Sequence, residues 1–324
     1  MHQVDAAETV TAEAPSSAAP DVSRFPVRDV PDNLTTFAFL ARQTPYRQAL
    51  RAMSEKHKSY RFIEMDLDPA LLAALRSAVL DAIDKFGHAG WQRADGKAST
   101  YGGFSLAYNP NHRDNLDPNV SSLGTPQNTA DRFFYNQRDR NRPLKDSYFD
   151  TYGFRRRTPA SQHGALGTFL DQLQVPLIRS RVGIIYGSQV DPADENYLAT
   201  AGWHRDEPVY ENLRVNIPLQ TDPNFVFQIE GEAPRHLEVG KAYSWDTHVP
   251  HRVYCQGKTT LDRVHLVLGT SPWFTYHADD DAWEPNASFG KVHPFELLMD
   301  GRIHPSLTGR ASQARESAAG GPTP

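Results

Sequence analysis

The chain has 324 residues, a formal net charge of −5 at pH 7 and 39% hydrophobic residues, enough apolar content to bury a core in one large domain or two modest ones. The acidic balance argues against a nucleic-acid polymer or an anionic membrane surface as a bulk partner. A single cysteine, Cys255, excludes an intrachain disulfide, a zinc knuckle and an iron–sulfur cluster.

Residues 1–24 are rich in Ala, Ser, Pro and acidic side chains and are expected to form a disordered tail. The start lacks the basic and apolar stretches of a signal peptide, and no run approaches the roughly 20 apolar residues of a membrane span, so the expected location is cytoplasmic. Residues 25–177 read as a mixed helical and loop region that flanks the core and includes a candidate substrate lid. Helices are predicted over 44–56 and 69–86. The second has Asp68 as N-cap, Pro69 at its first position, an apolar stripe of Leu72, Leu75, Val79 and Ile83, and Gly87 as its stop.

Tyr101-Gly102-Gly103-Phe104 suggests a close-approaching or mobile backbone. Residues 133–157 are dense in cations: Arg138, Arg140, Arg142 and Lys145, then Arg155-Arg156-Arg157, interleaved with Tyr148, Phe149 and Tyr152. One reading is a solvated loop neutralised by Asp139, Asp146 and Asp150. The other is a wall that grips an anionic substrate with guanidinium forks, using Arg138, Arg155, Arg156 and Arg157 beside Tyr101. A third helix is predicted over 164–173.

From residue 178 the pattern changes to short alternating runs at 181–186, 213–219, 225–229, 241–245, 252–255 and 263–269, separated by turn residues such as Asp222-Pro223-Asn224. The predicted fold is mostly β with flanking helices. Residues 178–276 form a double-stranded β-helix core, jelly-roll or cupin-like, followed by a C-terminal extension over 277–308 and a disordered tail over 309–324.

Within this core lies Trp203-His204-Arg205-Asp206, with His251 following 47 positions after His204 and Arg263 following 12 after that. Two imidazoles and one carboxylate can hold a non-haem iron(II) on three adjacent corners and leave three open. On an extended strand His204 and Asp206 share a face, so one strand is expected to supply two ligands. His251 is the favoured third ligand because it opens an alternating run, and His248, before a turn, is the alternative. Arg263 and His265 share one face of their strand, as do Arg214 and Asn216 of theirs. A guanidinium facing a barrel lumen needs an anion, and its fork suits the far carboxylate of 2-oxoglutarate. The competing roles are an ion pair between Arg214 and Glu211 or Asp206, and a hydrogen-bonded core position for His265.

The order H-x-D, R-x-N, distal His and R-x-H-L over residues 178–276 resembles the iron(II)/2-oxoglutarate-dependent oxygenases, and within them the aspartyl/asparaginyl and proline hydroxylase branch. That branch commonly has R-x-H where this chain has Arg214-Val215-Asn216. The resemblance implies Fe(2+) held by His204, Asp206 and His251, with 2-oxoglutarate and O2 as co-substrates. Arg263, Arg214, Asn216 and His265 would surround the 2-oxoglutarate. It further implies hydroxylation of an unactivated C–H bond in a small polar, amino-acid-like molecule. Because Asp206 is present, halide has no place on the metal, whereas desaturation or ring formation stays open. So do three other readings: an anionic phosphorylated or nucleotide-like substrate, a non-catalytic cupin-like protein that binds metal or a small acid, and, more weakly, a zinc hydrolase, whose general base would be wanted beside the metal while strand alternation points the adjacent Glu207 away. Nothing in the sequence fixes an oligomeric state.

Overall fold

In the computed structural model the described residues are 23–57, 62–92, 98–112, 150–189 and 201–312. The strands in chain order are β1 (Phe25–Pro26), β2 (Phe62–Asp66), β3 (Ala89–Gln92), β4 (Ala98–Ser105), β5 (Ala107–Tyr108), β6 (Arg156–Arg157), β7 (Arg181–Ile185) and β8 (Ala201–His204). They continue as β9 (Leu213–Gln220), β10 (Phe225–Ile229), β11 (Lys241–Trp245), β12 (His251–Cys255), β13 (Arg263–Thr270), β14 (Phe274–His277), β15 (Ala282–Pro285) and β16 (Arg310–Ser312). The helices are α1 (Thr36–Leu40), α2 (Thr44–His57), α3 (Pro69–Phe86), α4 (Gly164–Asp171) and α5 (Pro294–Met299).

From β7 onward the chain alternates between two antiparallel sheets. Strands β7, β9, β11 and β13 enter an eight-stranded sheet ordered β16-β2-β11-β9-β13-β7-β4-β3, while β8, β10 and β12 form a three-stranded sheet ordered β10-β12-β8. This alternation makes a double-stranded β-helix, as the sequence pattern predicts. Pairing register divides the large sheet into two chemically different faces, because directly opposed residues point the same way. The row Phe104, Val182, Leu266 and Ile217 lies on the outer face, buried under α3, α4 and α5 in the main core. Each such side chain contributes roughly 1.5–3 kcal/mol by leaving water.

The inner face is polar. One row across it is Tyr101, Ile185 and Arg263; the next is Gly103, Gly183 and His265; the third is Ser105, Arg181, Val267 and Asn216. Ile185 packs there against Phe225 and Cys255 of the small sheet, so this face lines the interior of the barrel. Charges buried on an inner wall cost stability unless they are paired, which directs the search for a site to this wall.

Helix α3 forms as its sequence signals dictate. The Asp68 side chain accepts from Leu71 N–H at 2.8 Å, and Gly87 ends the helix at φ 74°. Leu75 and Val79 of the predicted stripe are buried, and Leu72 and Ile83 pack at the core's edge. A second core, rich in aromatic side chains, joins α1 and α2 to β14 and β15 through Tyr46, Tyr152, Trp273, Phe274 and Trp283.

Three expectations are corrected. The region read as helical and loop also supplies β2, β3 and β4 to the large sheet, and Gly102-Gly103 lies within β4, where it makes the close approach and not the mobile segment of the two readings. Gly103 has φ 138°, and a Cβ there would lie 1.9 Å from the Val182 carbonyl oxygen, so only glycine lets the two strands approach. The tail predicted from 309 is disordered in part at most, since Arg310–Ser312 pairs with β2 as an edge strand. At the other end Arg24, assigned to the disordered N-terminal tail, forms an ion pair with Asp280. The rest of both predicted tails lies outside the described residues. Among the described residues, no helix is long and apolar enough to cross a membrane.

Candidate metal centre

His251 begins β12 and stands directly opposite His204, the last residue of β8. Their Nδ1 atoms meet backbone carbonyls, His204 with Gly202 at 2.6 Å and His251 with Val249 at 3.0 Å. A carbonyl can only accept, so each Nδ1 carries a proton, and in the neutral ring Nε2 is the atom left with a lone pair for an ion. Both lone pairs turn toward one oxygen: Asp206 Oδ2 lies 3.7 Å from His204 Nε2 and 3.6 Å from His251 Nε2. Two neutral imidazoles and a carboxylate converging with their acceptor atoms are a cation's donor set, and the backbone contacts fix the ligand tautomers before any ion arrives. Burial lowers the His204 pKa, opposed by Asp206 and reinforced by His251, which keeps the ring neutral as ligation requires.

Asp206 reaches this position differently from the expectation. Strand β8 ends at His204, so Asp206 lies beyond it, anchored by its own N–H donating to Thr247 O at 2.8 Å. Of the two candidate histidines, His251 is buried within the cluster. His248 is exposed, with Nδ1 3.4 Å from the backbone oxygen of Asp206.

Behind the triad runs a buried ionic chain of which the sequence offered only the Arg214–Asp206 pair, as an alternative. Arg214 forks between Asp206 and Glu207, and Arg179 pairs with the other oxygen of Glu207. Thr151 donates to Glu207 Oε1 at 3.2 Å, and Thr247 Oγ1 donates to the Glu207 carbonyl at 2.6 Å. Arg179 holds a left-handed backbone with φ 37°, uncommon for a side chain of its size. Burial alone would raise the Asp206 pKa, but Arg214 first, and then the two histidines beside it, hold it well below the usual carboxylate range. Nearby, burial and then Asp150 push Glu211 up to about 8, and burial pushes Asp150 up to about 6.

This chain bears on two sequence expectations. Arg214, expected beside 2-oxoglutarate, has its fork occupied by Asp206 and Glu207, which is the ion-pair alternative in fuller form. Glu207, the base a zinc hydrolase would need, is fully buried and held by two arginines.

Arg263 and His265 present the opposite situation. Arg263 is buried and donates to His265 Nδ1 at 2.9 Å, and no carboxylate among the described residues lies within ion-pair distance of it. Burial lowers its pKa to about 10, with Tyr101 acting against the shift. Burial, then Arg263 and His236, hold His265 well below its ordinary value, so the ring is neutral. Its Nδ1 accepts from Arg263, which puts the proton on Nε2, and that buried atom has no partner. A guanidinium and an orphaned imidazole N–H side by side on the inner wall fit a carboxylate. Asn216 is buried on the same face, opposite Val267.

The proposed substrate arginines point elsewhere. Arg155 grips Asp281 with both arms and donates to Gly153 O at 2.8 Å. Arg156 donates to Ala278 O at 3.3 Å, beside the Tyr276 ring. Arg157 is held by Ser161 and Asp171. Arg138 lies outside the described residues. Tyr101 is on the inner wall, its hydroxyl accepting from Arg181 Nε at 3.0 Å. Arg181 is a wall residue that sequence reasoning passed over, although it heads a strand in the same alternation that singles out Arg214 and Arg263.

No family model matches the chain, and no curated protein matches it. Among solved structures, it is similar to a prolyl hydroxylase in complex with a hypoxia inducible factor oxygen degradation domain peptide fragment from Trichoplax adhaerens. There the TM-score is 0.33 at 10% identity, covering 74% of this chain and 94% of that one. It is also similar to SnoK, a non-heme alpha ketoglutarate dependent carbocyclase from nogalamycin biosynthesis, with TM-score 0.30 at 9% identity, covering 70% and 84%. Likeness at this level carries no argument about substrate or cofactor.

Proposed function

We propose that this protein is an iron(II)- and 2-oxoglutarate-dependent oxygenase that hydroxylates an unactivated C–H bond of a small polar, amino-acid-like molecule. One observation carries the reading. A buried Arg263 and an orphaned His265 Nε2, with no carboxylate among the described residues to receive them, share the barrel interior with two histidines whose lone pairs converge on Asp206.

In this reading His204, Asp206 and His251 hold iron(II), which supplies O2 activation coupled to the decarboxylation of 2-oxoglutarate. Arg263 pairs the distal carboxylate of 2-oxoglutarate through its fork, and His265 donates to it from Nε2. Arg214 keeps Asp206 ionised and oriented. Tyr101, Ile185 and Cys255 line the wall between and limit water. The substrate class rests on the resemblance of the motifs, and the commitment of Arg155 to Asp281 and of Arg157 to Ser161 and Asp171 weakens the case for a phosphorylated substrate.

The test is turnover: purified protein with iron(II), 2-oxoglutarate and O2, assayed for succinate and screened with free amino acids for stimulation. Succinate formation that depends on His251 and Arg263 supports the proposal. Iron bound at the triad without any succinate moves the protein to the non-catalytic binding class.

A further inference from the structure

The inner wall carries a second guanidinium that the metal centre does not use. Arg181 shares its face with Gly183 and Ile185 on β7 and stands opposite Val267. Its Nε donates to the Tyr101 hydroxyl at 3.0 Å, while its Nη1 is buried with no hydrogen-bond partner. Among the described residues no carboxylate lies within ion-pair distance of it. Glycine at 183 makes this arrangement possible: a Cβ there would sit 2.7 Å from the Tyr101 hydroxyl. The tyrosine ring therefore lies across β7 and fixes the guanidinium.

Its position separates it from the co-substrate residues. Arg263 opposes Ile185, four residues along β7 from Arg181, a displacement of about 13 Å on an extended strand. Arg181 is close enough to Arg179 to act on its charge, as are Arg214 and Asp206, so Arg181 stands toward the triad end of the wall. There Arg179 and Arg214 are matched by Glu207 and Asp206. Iron(II) and 2-oxoglutarate would bring equal and opposite charge, so together they leave Arg181 without its anion. Leaving a buried guanidinium N–H unpaired costs stability, and a planar fork selects a carboxylate.

We infer that Arg181, oriented by Tyr101, is a second anion subsite that receives a carboxylate of the molecule to be hydroxylated. This rests on the oxygenase reading for its purpose, though not for its chemistry. It explains how an amino-acid-like substrate would be held beside the metal by the carboxylate that all free amino acids carry.

The experiment isolates the subsite by removing Arg263, the inner-wall arginine that likewise has no carboxylate partner among the described residues. In the full-length Arg263→Met protein, sodium acetate at saturating concentration and constant ionic strength should raise the melting temperature by about 2–4 °C, and acetamide should not. In the Arg263→Met, Arg181→Met double variant the acetate shift should vanish. Arg181→Lys in the same background, which keeps the charge and loses the fork, should bind acetate about tenfold more weakly; it reads the same loss if the double Met variant fails to fold. No acetate shift in Arg263→Met, or an undiminished one without the Arg181 fork, overturns the inference. Arg181→Met alone should keep the anaerobic iron(II)–2-oxoglutarate absorbance of the wild type. Loss of that absorbance in Arg181→Met only would assign Arg181 to 2-oxoglutarate and overturn its substrate role. Its absence in wild type and variant alike would fail the oxygenase reading, leaving the acetate comparison to decide the subsite.

Discussion

His204 and His251 face each other across paired strands with ring centroids 4.3 Å apart, and each turns its Nε2 toward the same Asp206 oxygen. The pairing is a property of strand register, because cross-strand neighbours share a face. A ligand pair fixed by backbone geometry needs little reorganisation to receive an ion.

His251→Ala should therefore lower iron(II) affinity by more than the roughly 10–100-fold that outer partners cost, measured by anaerobic titration. His248→Ala should leave it unchanged, since that side chain is exposed and outside the cluster. An equal loss in both variants would contradict the assignment of His251.

Arg214→Met strips the buried carboxylates of Asp206 and Glu207 of a shared partner. Breaking a buried ion pair on one side costs about 3–5 kcal/mol, to be read as a fall in denaturant-unfolding free energy. Lowered iron affinity should accompany it. A variant as stable as wild type would show that Arg179 and the triad's own histidines compensate.

Glu211 gives the fold a pH dependence of stated sign. Its folded pKa is raised by burial and Asp150 to about 8 from 4.5, so the folded state binds its proton more tightly than the unfolded chain. The corresponding stability is complete below about pH 4.5 and is lost as pH rises toward 8. Glu211→Gln should flatten that decline in a pH series of unfolding midpoints. An identical slope in the variant would assign the dependence to other groups, Asp150 among them.

Gly103→Ala should destabilise by about 2–6 kcal/mol through backbone strain and overpacking, because the added carbon meets the Val182 carbonyl at φ 138°. The readout is thermal unfolding. Little or no change would mean that β4 can shift away from β7.

Arg155→Ala should act on stability and leave substrate KM unchanged, because its guanidinium is committed to Asp281 and Gly153. A raised KM at unchanged stability would restore it to the substrate wall.

How far the sequence could be read depends on the range of the interaction. The alternation in Leu213–Gln220 and Arg263–Thr270 and the capping signals around α3 are local patterns, and each reappears in the structure; His204, Asp206 and His251 also come together, His251 having been singled out by the alternating run it opens. Asp206 lying past the end of β8 was not legible, because its position is set by Thr247, 41 residues away. The Arg179–Glu207–Arg214 chain was hidden for the same reason: its members come from segments that meet only after the sheets have formed. Gly102-Gly103 carried a real signal of close approach, but nothing local distinguished a strand pressed against β7 from a mobile turn. In the arginine run, charge density suggested anion binding; Asp281 and Asp171, distant in sequence, pair Arg155 and Arg157.

The most direct test of the account is the visible absorbance of the anaerobic protein with iron(II) as 2-oxoglutarate is added, in wild type and Arg263→Ala. The account predicts a weak charge-transfer band in the wild type, at a 2-oxoglutarate concentration that rises at least tenfold in the variant, the loss of about 1.4 kcal/mol or more of anchoring. Iron bound at the triad with no band at any 2-oxoglutarate concentration would contradict it.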